Sequence, residues 1–229
     1  MRSIPVRSNR SSYYLFTGLN IASFELVAPD VITLMAILLG ASSILIGAVN
    51  SLSYLSFAVV PLGRFFVRRE APVHSMVVQW RARYVSLLLI VAALALNRFA
   101  GHLVVMVLFF AGLLGFYLGK GFGTAARGPV LGHVSEGEDR GAFISLTQVV
   151  NVAVQIAARL FIVGFLTASS RAVAFIPIVA GAVLIGFAGS AFLQRISEPP
   201  ADPAPANEED TRPLRPRLHL LGSLRYLMI

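Results

Sequence analysis

The sequence predicts an all-α polytopic membrane protein that crosses a bilayer six times. Three observations carry that expectation. Hydrophobic residues fill 56% of the 229 positions and charged residues only 13%, about half the charged share of a soluble domain. The mean hydropathy is +0.76, and the apolar residues come in blocks of about 20, the length that crosses a hydrocarbon core of ~30 Å. Lys and Arg collect in alternate gaps between these blocks, as the positive-inside rule requires.

The first block, 12–27, is interrupted by Pro29, and an apolar extension, 31–39, continues past it as a kinked or interfacial segment. Gly40-Ala41-Ser42-Ser43 then makes a tight turn. The second span is expected at 44–62, followed by a basic stretch, 63–83, that reads as a loop. Spans at 84–100, 103–125, 142–166 and 173–193 complete the set. The bundle is thus expected to fill 1–198. Residues 199–229 read as a Pro-rich, acidic, disordered linker and a short apolar lead-in to a further helix. Arg2, Arg7 and Arg10 precede the first block with no clear small-residue cleavage site behind it, so an uncleaved first span is expected.

With the N-terminus inside, sixteen Lys and Arg residues fall on the inner side and only Arg98 and Arg171 outside, with Arg159 inside a span. Both termini are therefore expected in the cytoplasm, with Trp80 and Tyr84 as an aromatic anchor at the inner interface and Lys120 snorkelling to it. The net charge of +8 does not indicate nucleic acid, because no basic face recurs at helical spacing. Cys is absent, and His74, His102, His133 and His219 lie in loops or at span ends without acids grouped around them. No catalytic set, metal site or cofactor motif follows from such residues, and an enzyme is not expected.

In the fifth span Gln148, Asn151, Gln155 and Arg159 recur at steps of three, four and four and so share one face. Polar groups are costly against lipid, so this stripe faces protein or water. It fits the wall of a solute pathway, and it also fits interhelical hydrogen bonding. Glu25 is the one acid well inside a span, sharing a face with Tyr14, Gly18 and Ile21, with Thr17 alongside. At 1.5 Å per residue, Glu25 and Arg159 lie roughly 20 and 26 Å from the inner ends of their helices. Two readings fit: the two residues pair across a cavity, with Glu25 a proton- or cation-coupling group, or Glu25 reaches the outer interface near Asp30. Asn50 and Tyr54, with Ser51 and Ser53, fit either the same pathway or a packing seam. Gly112, Gly115, Gly119 and Gly123 mark a close helix contact. Between spans four and five, Ser135 and Glu138 fit a capping box, and Glu138 with Arg140 also fits a gating loop.

"LGASSILIGAVNSL" (39–52), "PLGRFFVRRE" (61–70), "EGEDRGAF" (136–143) and "RISEPP" (195–200) appear in an order and spacing that resembles the N-terminal six-helix half of the major facilitator superfamily. Gly63, Arg64, Arg68 and Arg69 match the glycine and basic positions of that family's gate motif, although its Asp is missing. The resemblance implies a 3+3 inverted repeat in a bacterial inner membrane. It also implies a cavity lined by the first, second, fourth and fifth spans, and transport of a small solute by rocking of two halves. Arg64, Arg68, Arg69, Glu138 and Arg140 would then be gating residues. One half does not enclose such a site, so a separate second-half chain or a second copy is an expected partner, and a scaffold subunit or a truncated remnant is the alternative.

Overall fold

Pro29 lacks an N–H and its ring clashes with the carbonyl four residues back, so a helix running into it must stop near Glu25. Ala28, held in an extended conformation before the proline, marks the break. In the computed structural model, α1 (Val6–Glu25) closes in tight i→i−3 bonds, Val27 N to Phe24 O at 3.1 Å and Ala28 N to Glu25 O at 3.2 Å. The chain restarts as α2 (Pro29–Leu38) with the proline in its first turn. Five further helices follow: α3 (Ser43–Arg69), α4 (Pro72–Leu96), α5 (His102–Val134), α6 (Arg140–Thr167) and α7 (Phe175–Leu193). Among the described residues, six segments are long and apolar enough to cross a membrane, α1 and α2 together making the first.

The structure describes residues 6–69, 71–135, 139–167 and 174–199, and the side chains of all of these except 6–8, 66, 68, 69 and 167. They belong to one unit, Met1–Pro199. The expected linker, Glu138 and Arg171 lie outside the described residues, as do the side chains of Arg68 and Arg69.

Around the bundle the helices run α6, α1, α7, α4, α5, α3, each packed on the next, with α2 bridging from the end of α1 to α3. The core lies under α4, α5 and α7, where Tyr84, Leu87, Ile90, Phe109, Leu113, Phe116, Val179 and Ala182 are fully buried. Gly112, Gly115, Gly119 and Gly123 all face α4, confirming the close contact expected on α5. The chain's two edge helices are α3 and α6: 17% and 11% of their apolar windows are buried, against 44 to 50% in the other four spans.

Five expectations need correction. The basic stretch 63–83 is not a loop, because α3 runs to Arg69 and α4 starts at Pro72. Pro61 lies inside α3 without ending it, just as Pro129 lies inside α5, since neighbouring groups can satisfy a carbonyl that a proline leaves free. Trp80 (4% exposed) and Tyr84 (0%) are core residues and not an interfacial belt. Arg83, tallied among the loop charges, is 1% exposed inside α4. Lys120 does not snorkel: α5 extends to Val134, which places Lys120 near the helix middle with its ammonium over the Phe24 ring at 4.3 Å. Nor does Ser135 start a capping box. It is the C-cap of α5, its hydroxyl donating to Gly132 O, and α6 begins only at Arg140 after Asp139.

The N-terminus of α4 has no side-chain cap of its own. Glu198, beyond the end of α7, supplies one: its carboxylate accepts from Val73 N at 2.9 Å and His74 N at 2.6 Å. A carboxylate there satisfies free N–H groups and meets the positive end of the helix dipole. Glu198→Ala is expected to cost about 1 kcal/mol, read as a lower melting temperature in detergent, with Glu198→Asp less affected.

Candidate functional site

The face of α1 that carries Tyr14, Gly18 and Glu25 is turned onto α6. The Tyr14 ring lies 4.9 Å from that of Phe143, and Val150 and Val154 close over Gly18. One turn further along α6, at the level where α1 breaks, stand Gln155 and Arg159. The step of four between Gln155 and Arg159 puts both on the face of α6 that meets Glu25.

Glu25 is the hub. Its side chain is 3% exposed, and both carboxylate oxygens are engaged: Oε1 accepts from Gln155 Nε2 at 2.8 Å and Oε2 from Arg159 Nε at 2.6 Å. Arg159 also bonds Asp30 through Nη1. Asp30 sits in the first turn of α2, where its charge suits the helix dipole. The guanidinium therefore bridges the two halves of the broken first span, with its own side chain 44% exposed and that of Asp30 59% exposed. The expected pairing of Glu25 with Arg159 is present, and Asp30 joins the same cation.

The other candidate residues are placed as follows. Gln148 and Asn151 continue the α6 stripe away from Glu25, with Asn151 Nδ2 donating weakly to Gln148 Oε1 at 3.5 Å. Asn151 Oδ1 is buried and without a partner. Asn50 on α3 accepts from Thr33 on α2 at 3.2 Å and donates to Ile46 O, and Tyr54 is 72% exposed. These two stand on the opposite edge helix from the α6 stripe and do not join its hydrogen bonds. Thr17 is 3% exposed and faces α4 and α5, not α6. Arg64 lines a shallow cleft between α3 and α5, and Arg140 is exposed at the start of α6.

Charge tallying hid one group. Arg83 donates from Nη2 to Asn20 Oδ1 and to the Tyr84 hydroxyl, both at 2.9 Å, and its guanidinium lies 4.4 to 4.8 Å from the rings of Trp80, Tyr84 and Phe116. The signal was present in "WRARY", because Trp80, Arg83 and Tyr84 at steps of three and one fall on one helical face.

Neither a family model, nor a curated protein, nor a solved structure matches this chain. Fold and composition together define a six-span helical membrane protein. Its ion pairs among the described residues all belong to the Glu25–Gln155–Arg159–Asp30 network between the broken first span and α6.

Proposed function

We propose that the chain is half of a facilitator-type secondary transporter that moves a small solute by alternating access. The observation that carries this reading is the network on Glu25. It joins an edge helix to a discontinuous helix on the side of the bundle left uncovered between α3 and α6. Discontinuous helices with ionised groups at the break recur where transporters hold solutes and coupling ions. The network combines a buried carboxylate with a half-exposed cation, so a proton or cation arriving at Glu25 would release Arg159 and free α6 from α1. In this reading Gln148 and Asn151 extend the pathway from that switch.

The positive-inside bias, which stands at fourteen against two once Arg83 and Lys120 are removed from the inner tally, supports cytoplasmic termini, with a bacterial inner membrane as the setting in this reading. The apolar faces of α3 and α6, including Phe57, Phe65, Val149, Val152 and Ile156, are where a second six-helix half would close the cavity.

The chain has no Cys, so single cysteines can be introduced without replacing any. With Gln148→Cys and Asn151→Cys, a membrane-impermeant maleimide is expected to label from either side in right-side-out and inverted vesicles. Leu184→Cys, on the outward face of α7 (71% exposed), should stay unlabelled in lipid. Protection of positions 148 and 151 from both sides would remove the aqueous pathway and leave the scaffold reading. Labelling from one side alone would remove alternation.

A further inference from the structure

A second polar centre lies in a cavity of about 160 Å³ between α1, α4 and α5, the volume of roughly five water molecules. Three cations line it, Arg83, Lys120 and Arg127, and among the described residues no carboxylate does. Among the described residues the only ion pairs are those of Arg159, so neither Arg83 nor Lys120 has an acidic partner. The Lys120 ammonium makes no hydrogen bond to a described residue; its neighbours are the rings of Phe24 at 4.3 Å and Tyr117 at 5.9 Å. Glu25, the acid next to Phe24 in the chain, already gives both oxygens to Gln155 and Arg159.

The same cavity collects orphaned polar atoms. Among the described residues, three buried side-chain polar atoms of its lining lack a hydrogen-bond partner: Thr17 Oγ1, Trp80 Nε1 and Arg83 Nε. The indole and guanidinium nitrogens are donors only. Water could accept from them, but water does not neutralise two like charges held in one apolar recess, and the ring faces offset only part of the cost of desolvating them. What completes the site is an acceptor that carries negative charge. Phe16, Phe24 and Met76 in the same lining leave an apolar wall for the rest of such a molecule.

We propose that this cavity binds a small oxyanion, a carboxylate or phosphate group on a short apolar body, held by Lys120 and Arg83 with Trp80 and Thr17 as further hydrogen-bond partners. Binding itself needs no transport; that the anion is the transported solute rests on the reading above. The site is separate from the Glu25 network, whose two carboxylates already share their own cation, Arg159, and which lies on the α6 side of α1. Charge recognition and coupling then belong to different faces of one helix.

Trp80 is the only tryptophan in the chain, so its fluorescence reports this cavity without a label. Purified protein in a neutral maltoside detergent at low ionic strength would be titrated with acetate, benzoate, succinate and inorganic phosphate, and separately with phosphatidylglycerol in mixed micelles. A saturable change with at least one soluble anion is expected, weakened tenfold or more in Lys120→Gln and retained in Arg81→Gln, whose side chain bonds Ser190 and Gln194 instead. Thr17→Val, a small change that leaves both cations in place, should weaken it severalfold. This keeps the test sound where Arg83→Gln fails to fold. Saturation by the lipid alone, again lost in Lys120→Gln, would assign the same chemistry to a headgroup. No saturable response to any of these anions, or equal affinity in Lys120→Gln, would overturn the proposal. Anion binding without maleimide access at positions 148 and 151 would overturn the transport reading and leave this site standing.

Discussion

Arg159→Ala is expected to destabilise the bundle by on the order of 3 kcal/mol, the largest loss of any single change in the Glu25 network. The reason is asymmetry. Glu25 is almost wholly buried, so deleting the arginine strands a carboxylate that keeps only the Gln155 amide. Glu25→Ala strands a cation that is 44% exposed and retains Asp30, so its cost should be clearly smaller. Glu25→Gln combined with Arg159→Gln should recover much of the loss, because two amides can hydrogen-bond across the same gap without a buried charge. A double-mutant cycle on detergent melting curves measures this coupling directly. Equal costs for the two alanine variants, or no coupling between the glutamine changes, would mean that the pair is not the clasp between α1 and α6. Because α1 is α6's principal neighbour, the loosened variant should also expose α6 to proteolysis before the α4–α5–α7 core.

The six spans were legible because a bilayer imposes a length on apolar blocks, and the depth arithmetic on Glu25 and Arg159 worked because a helix rise is fixed. Helix ends were less legible. Residues 63–69 and 126–134 are polar enough to read as loop, yet α3 and α5 run on through them, since a helix that leaves the hydrocarbon still satisfies its own backbone. The misplaced cations have one shared cause. Reading Arg83 as a loop charge and Lys120 as snorkelling assumed that a charge near a predicted span end seeks water, whereas both lie against aromatic rings in the bundle. Helical spacing on its own would have placed Arg83 beside Trp80 and Tyr84; only coordinates could place Asn20 of α1 and Phe116 of α5 there as well. Asn50 and Tyr54 show the reverse limit. Sequence identified two polar residues one turn apart, but it could not show that α3 stands at the far edge of the bundle from α6.

The second large effect is expected from a single methyl group. In "GKGFG", Gly119 and Gly123 face α4 while Gly121, two residues from each, points to the opposite side of α5 and meets α3. A Cβ at Gly121 would lie 2.5 Å from the backbone carbonyl oxygen of Ser56 and 3.1 Å from Val59 Cβ. A carbonyl inside α3 is not a flexible side-chain end, so Gly121→Ala must push two helix backbones apart. Overpacking of this kind costs about 1 to 3 kcal/mol, and here it acts on a helix that is also held against α4, where a Cβ at Gly119 would stand 2.9 Å from Arg83 Cβ. Gly128→Ala is the matched comparison: it lies in the same helix, nothing stands within 4 Å of the added atom, and a gain of about 0.4 to 1 kcal/mol is expected. Melting curves of the two variants in one detergent separate tight packing from helix propensity, since propensity alone would stabilise both. Lys120 sits between these glycines, so its position over Phe24 depends on α5 being pinned from both sides. Whatever Gly121→Ala protein remains folded should therefore show a weaker Trp80 fluorescence response to anions, while Gly128→Ala keeps it.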